Sequence, residues 1–190
     1  INAVTDSSDA ETTVLANGDK IADGGITSIT LTDAELEQFI VTAGYGANPF
    51  AAGSITLGAV TGNQATVVTH LAKVVNDGVS AITLASDDVF TTAVTNNAAA
   101  LAAGSVSLTN KVVADAADIT AVVNNHTKLA DGQVTSITLT ETQLNTVAGT
   151  AGANLDDAFA ADSITINAVT DSSDAETTVL ANGDKIADGG

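Results

Sequence analysis

The chain has 190 residues and a formal net charge of −18, with 23 acidic side chains against five lysines and no arginine. Proteins bind nucleic acids by neutralising phosphates with Lys and Arg, so this composition excludes a nucleic-acid partner. The chain has no cysteine for disulfides. No stretch reaches the roughly 18 uninterrupted apolar residues that indicate a membrane span, so we expect no membrane insertion.

A short strand pattern, first seen as Ser28-Ile29-Thr30-Leu31, recurs along the whole chain. Its copies begin near residues 28, 54, 81, 105, 136 and 163, and we call each copy with its following residues a coil. Residues 166–190 then repeat residues 1–25 letter for letter, so six coils make a period of 165 residues. A fixed period near 27 residues with one strand per unit is typical of a solenoid. We therefore predict that residues 1–190 form a single continuous solenoid.

The strands alternate apolar and hydroxyl residues, so one face of each strand is predicted to point into the core. The hydroxyl residues of the outer face are candidate binding residues: Thr30, Thr56, Thr83, Ser107, Thr138 and Thr165. Equivalent strands that always run the same way pair in parallel, with the rest of the coil as the crossover. The sequence therefore predicts an α/β fold, a right-handed α/β solenoid with one parallel β-sheet and helices on the opposite side.

The crossovers carry helix signals. Thr32 precedes Glu35 at the spacing of a capping box, apolar residues follow at helical spacing, and Gly44 stands where a left-handed C-cap belongs. Thr140 and Gln143 repeat this design in the fifth coil. Odd coils enter the helix directly after the strand. Even coils first insert an extended piece, at residues 58–60, 109–113 and 167–169.

Acidic residues cluster at three places, Asp6-Ser7-Ser8-Asp9, Asp87-Asp88 and Asp156-Asp157. They are candidate ligands for loosely bound calcium, and they are equally typical of helix N-termini, where the helix dipole favours negative charge. Beyond calcium, we expect no cofactor.

Two stretches, VTDSSDAETTVLANGDKIADGGITSITLT and VVADAADITAVVNNHTKLADGQVTSITLT, resemble the SITLT-type repeats of very long secreted bacterial surface proteins. This resemblance covers the whole chain and implies an α/β solenoid at the cell surface or released from it, with a structural or adhesive role. Leucine-rich repeats share the apolar frame. Ala34, Asp87 and Thr142 stand where their asparagine belongs, so we reject that family.

Catalytic and metal motifs do not emerge from the sequence. His70 and His126 have no Cys or His neighbour at metal-ligand spacing, and no glycine-rich phosphate loop follows a strand. We therefore predict that the chain is not an enzyme and holds no structural transition metal.

Two functions remain open. In the first, the chain is a structural segment of a long extracellular bacterial fibre, filament or surface stalk/adhesin, and it assembles end to end with copies of itself. Ile1 corresponds to Ile166 within a strand, so we expect the array to continue beyond both ends. In the alternative, the flat Ser/Thr-rich strand face is a binding module for carbohydrate or ice, although Thr is also an ordinary residue for a solvated strand face.

Overall fold

The computed structural model describes residues 3–4, 8–167, 169 and 173–188. The side chains of the first predicted acidic cluster and part of the extended piece at residues 167–169 therefore lie outside what the structure describes. The chain divides into two compact units, Ile1–Thr83 with Thr92–Ser105 and Leu84–Thr91 with Val106–Gly190. Each unit is described by itself.

The first unit alternates short parallel strands with helices. Its helices are α1 (Ser8–Ala16), α2 (Asp33–Glu37), which continues as a π-helix over Gln38–Thr42, and α3 (Gln64–Thr69). Its strands are β1 (Ile29–Thr30), β2 (Ile55–Thr56), β3 (Gly58–Ala59) and β4 (Val79–Leu84), whose last residue belongs to the second unit. Strand β1 pairs with β2, and β3 pairs with β4, both in parallel.

The second unit repeats the same alternation. Helix α4 (Asp87–Asn97) has residues in both units, and it is followed along the chain by β5 (Val106–Leu108) and β6 (Val112–Val113). The remaining elements are α5 (Ala116–Asn125), β7 (Ser136–Leu139), α6 (Glu141–Ala148), β8 (Ile164–Ile166) and α7 (Ser173–Ala181). Strand β7 pairs in parallel with both β6 and β8.

The predicted α/β class, the parallel pairing and the helical crossovers are confirmed, but the prediction of one sheet is wrong. The described strands form three small sheets. The strand of an odd coil pairs in register with the next even strand, as in Ile29 with Ile55. The even coil then presents its second extended piece to the next odd strand, as in Gly58 with Val79. Because Gly58 has a φ of +68°, the chain turns between β2 and β3 and the ladder steps sideways there.

The apolar strand face is buried as predicted. Ile29 and Leu31 are 2% and 1% exposed, whereas Thr30 between them is exposed. All four phenylalanines are fully buried: Phe39, Phe50, Phe90 and Phe159. These rings are the largest apolar groups in a chain otherwise filled with small side chains, so they account for a large share of the buried apolar area.

The predicted helix ends are also confirmed. The backbone N–H of Thr32 donates to Glu35 Oε2 at 2.8 Å, and that of Thr140 donates to Gln143 Oε1 at 2.9 Å, which completes both capping boxes. Gly44 adopts a φ of +71° directly after the last helical turn. That turn is wider than predicted, because Ala43 N–H donates to Gln38 O at 2.7 Å, five residues earlier.

Candidate functional site

The predicted hydroxyl face is solvent-facing. Exposed side chains are Thr30, Thr56, Thr83, Thr138 and Thr165, and Ser107 is half-buried. Register places Thr30 beside Thr56 in the first unit and Thr138 beside Thr165 in the second. Neighbouring strands lie about 4.8 Å apart, so the structure brings the candidate residues together as two close pairs.

An acidic cluster that the sequence did not predict lies in the second unit, where the first turns of α4 and α5 meet. Asp88, Asp115 and Asp118 each contribute a carboxylate oxygen, and these oxygens lie within 4.8 Å of one another. Asp118 is only 4% exposed, and the Thr91 hydroxyl donates a hydrogen bond to its Oδ1. Asp88 and Asp115 are exposed.

Neighbouring carboxylates act on Asp88 in this cluster. The Asp118 carboxylate is the largest cause that raises the pKa of Asp88, followed by desolvation and by the charges of Asp87 and Asp115. Carboxylate oxygens at this spacing could hold a hard divalent cation such as calcium. The N-terminal turns of two helices favour the same carboxylates through their dipoles alone. Calcium binding at this cluster therefore stays a prediction.

The spacing of the coils could have predicted this cluster from the sequence. Asp88 and Asp115 are 27 residues apart, as are Thr91 and Asp118, so each pair stands one coil apart in the sequence. Of the predicted acidic clusters, Asp87-Asp88 contributes one carboxylate here. Aspartates of the third predicted cluster have basic neighbours instead: Asp156 Oδ2 lies 3.4 Å from His126 Nδ1, and Asp157 Oδ1 lies 3.5 Å from Lys185 Nζ.

The histidines do not form a metal site in the described part of the chain. His70 Nδ1 lies 2.8 Å from the carbonyl of Thr66 in its own helix. The ring of His126 packs near Phe159, with centroids 6.1 Å apart. Among the described residues, Asp88, Asp115 and Asp118 are the one group of three potential metal ligands, and it contains no histidine.

Side-chain hydrogen bonds between successive coils follow a repeat that the sequence analysis missed. Four of the five lysines directly precede the apolar residue that leads into the turn before the next strand: Lys20, Lys73, Lys128 and Lys185. Lys73 Nζ donates to Phe50 O at 2.7 Å, and Lys185 Nζ donates to Phe159 O at 2.9 Å. Three positions before these lysines, a polar residue ends the helix and begins a 3₁₀ turn or tight turn.

Two asparagines that directly follow or end a helix, Asn97 and Asn182, also bind the preceding coil. Asn97 Nδ2 donates to Leu71 O at 3.2 Å, and Asn182 Nδ2 donates to Ala153 O at 2.8 Å. Asn182 Oδ1 accepts from Leu155 N–H at 2.7 Å, in a buried position. Each of these hydrogen bonds joins a side chain of one coil to the backbone of the coil before it, within one unit.

In their described residues, the two identical segments, residues 1–25 and 166–190, are exposed on opposite faces. Asn17 and Asn182 make the same bond to their own helix, at 2.9 Å to Thr13 O and to Thr178 O. Asn182 is 1% exposed, whereas Asn17 is half-buried. The Lys20 side chain is 71% exposed, and that of Lys185 is 13% exposed.

On the opposite face of this coil, the first segment is the covered one and the second is exposed. The Tyr45 hydroxyl donates to Ala16 O at 3.1 Å, and the rings of Tyr45 and Phe39 lie so close to Gly18 that no Cβ would fit there. The corresponding face of α7 is uncovered, since Leu180 is 85% exposed and Gly183 is exposed. Together, the two segments show both sides of one coil in contact with neighbours.

Comparison with known proteins gives no match. No protein-family model matches the chain, and no curated protein and no solved structure is significantly similar to it. Among the described residues, no helix is both long and apolar enough to cross a lipid bilayer.

Proposed function

We propose that this chain is a structural repeat segment of a long extracellular bacterial fibre, filament or surface stalk/adhesin, and that its 165-residue periods join end to end as an α/β solenoid. The observation that carries this proposal is the opposite exposure of the two identical segments. Among the described residues, Asn17 and Lys20 are more exposed than Asn182 and Lys185, whereas Gly18 is covered and Gly183 is exposed, and this reversal supports the joining of one period to the next.

Two further features support an extended assembly outside the cell. Strands one coil apart pair in parallel within each unit, as in Ile29 with Ile55 and Ile137 with Ile164. Pairing of this kind reaches only the neighbouring coil, so a further period adds the same pairing again. The resemblance to SITLT-type repeats of secreted bacterial surface proteins adds the location, and the role we propose involves no catalysis.

Electron microscopy and fibre diffraction of the native material test the proposal. Six coils at about 4.8 Å each give an axial repeat of about 29 Å along the strands. The axial repeat along the helical side is longer, because packed helices lie about 8–10 Å apart. Compact, monodisperse particles without an axial repeat would contradict the fibre.

The second candidate function, a binding module for carbohydrate or ice, is favoured by the exposed pairs Thr30 with Thr56 and Thr138 with Thr165. Thermal hysteresis of the whole chain tests binding to ice, and a glycan array tests binding to carbohydrate. If this function is correct, replacing Thr30 and Thr56 by lysine abolishes the signal without unfolding the chain, because both side chains are solvent-facing. Replacement of the exposed Thr142 and Thr146 on helix α6 is the control, since these lie off the strand face.

A further inference from the structure

We infer that the open groove on α1 is the seat for residues 152–159 of a second copy of this chain. Thr13, Asn17 and Lys20 are among the residues that line this groove. The inference rests on the proposed end-to-end function and specifies which surface and which segment form the joint.

The occupant is identified by the identical segment in the same chain. There, Asn182 binds the backbone of Ala153 and Leu155, and Lys185 binds the backbone of Phe159. Gly152 N–H also donates to the Thr178 hydroxyl at 3.2 Å. Subtracting 165 from the numbers of the three side chains gives Thr13, Asn17 and Lys20, which all line the groove.

Burial shows the same correspondence. Thr178 and Ala175 are fully buried against this part of the second unit, with 0% exposure each. Their counterparts in α1 are more accessible, since Thr13 is exposed and Ala10 is half-buried. The amino acids are identical, so the difference comes from the neighbour that residues 152–159 provide for α7.

Charge also favours this occupant. Lys185 Nζ lies 3.5 Å from Asp157 Oδ1 and donates to Asp156 O at 3.4 Å. Lys20 offers the same ammonium group on the open side of α1, where its present neighbour is the adjacent Asp19, at 3.4 Å. A segment that brings the Asp157 carboxylate and the Asp156 carbonyl oxygen to this lysine is complementary to the groove, although both whole chains are strongly acidic.

Docking exchanges one segment for its identical counterpart. In a second copy, residues 152–159 are already covered by that copy's own residues 173–188, so α1 of the first copy must displace α7 of the second. The hydrogen bonds that break and the hydrogen bonds that form are of the same kind, and only the association itself opposes the exchange. Substitutions that weaken the contacts of α7 with residues 152–159 should therefore favour docking of α1 from another copy. Substitutions that remove the contacting side chains of α1 should prevent that docking.

The first experiment uses variants of the whole 190-residue chain in sedimentation velocity at high salt, which screens repulsion between acidic chains. Asn182→Ala with Lys185→Ala removes hydrogen bonds that hold α7, and we expect association to increase about tenfold or more, because each lost bond favours displacement of α7. Asn17→Ala with Lys20→Ala is the matched control and should remain monomeric. Combining all four substitutions should return the chain to a monomer. An α7 variant that stays monomeric would overturn the inference, as would association that survives loss of Asn17 and Lys20.

The second experiment identifies the joint chemically in the same 190-residue chains. A carbodiimide couples a lysine to a carboxylate that lies against it, and mixing ¹⁵N-labelled with unlabelled chains distinguishes links between copies from links within one. We expect mixed-isotope links between Lys20 and Asp157 in the Lys185→Ala variant, which changes one partly accessible side chain and tests the inference even if the double variant unfolds. In the parent chain, the link between Lys185 and Asp157 is the internal control.

The possible outcomes separate this inference from the proposed function. If the folded Lys185→Ala variant gives no mixed-isotope link between Lys20 and Asp157, residues 152–159 do not dock on α1 of another copy. That conclusion would hold even if native fibres show the axial repeat. Mixed links without any axial repeat in native material would instead support the seat and contradict the fibre.

Discussion

At the scale of single residues, the packing between coils depends on a few buried polar side chains whose environment differs between identical sequences. Asn182 makes two hydrogen bonds to the preceding coil that Asn17, in the same local sequence, does not make in this structure. The chain thus contains its own control, because local propensity is the same at both positions and only the packing differs.

This difference gives the first prediction. Asn182→Ala should lower the free energy of unfolding by about 1–3 kcal/mol, because Leu155 N–H is left buried without its acceptor. Asn17→Ala should stay within about 0.5 kcal/mol, because among the described residues this side chain bonds the end of its own helix and not a neighbouring coil. Urea unfolding of both variants measures the difference, and equal losses would show that the bonds of Asn182 to the preceding coil do not contribute.

The acidic cluster gives a second prediction, about pH. The pKa of Asp88 is raised above 3.8, mainly by Asp118, so the folded state binds this proton more tightly than the unfolded state does. The ionised carboxylate therefore destabilises the fold above the raised pKa. That penalty fades as the pH falls through the raised pKa, and it vanishes below the unfolded value of 3.8, where both states are protonated.

Asp88→Asn should accordingly raise the melting temperature at pH 7 and lose this advantage in acid. Thermal unfolding between pH 3 and pH 7 measures the effect, with the exposed Asp184→Asn as the control for charge removal outside the cluster. Two results would contradict repulsion between the carboxylates. The gain in melting temperature of Asp88→Asn could persist unchanged at low pH, or Asp184→Asn could give an equal gain.

At the scale of elements, Gly58 decides where the sheet stops. Its φ of +68° is in the left-handed region, which disfavours residues with a Cβ by roughly 1–2 kcal/mol. Gly58→Ala should therefore destabilise the first unit by about that amount, although no atom lies within 4 Å of the added Cβ. Gly183→Ala is the matched control, since its φ is not in this region and its Cβ also meets no atom. Equal melting temperatures for the two variants would mean that a Cβ at position 58 does not strain the backbone there.

The sequence predicted the elements better than their partners. Alternation in the strands placed Leu31 inside and Thr30 outside, and capping boxes located the starts of α2 and α6, because these signals act over a few residues. The break between β2 and β3 depends on which extended piece meets the next coil, and periodicity does not contain that register. The cluster of Asp88, Asp115 and Asp118 was missed for a related reason: its members are distant in sequence and meet only when successive coils are aligned.

At the scale of the whole molecule, charge opposes the end-to-end assembly that we propose. A chain at −18 repels its copies, and this repulsion reaches about 30 Å at 0.01 M salt but only about 10 Å at 0.1 M. In the proposed assembly, joining end to end would bring together only the terminal coils of each copy, whereas side-by-side bundling would bring whole acidic surfaces into contact. We therefore expect bundling to depend more strongly on salt than end-to-end joining does.

Light scattering and electron microscopy over a salt series measure this last prediction. Fibres should lengthen at moderate salt and bundle only at high salt, and calcium should act at lower concentration than sodium because divalent ions screen more strongly. The variant with Asp23→Asn and Asp188→Asn changes the same exposed position in both identical segments and lowers the charge from −18 to −16. It should bundle at lower salt than the parent chain, since less repulsion needs to be screened. Bundling at one salt concentration for both chains would show that contacts other than charge control lateral association.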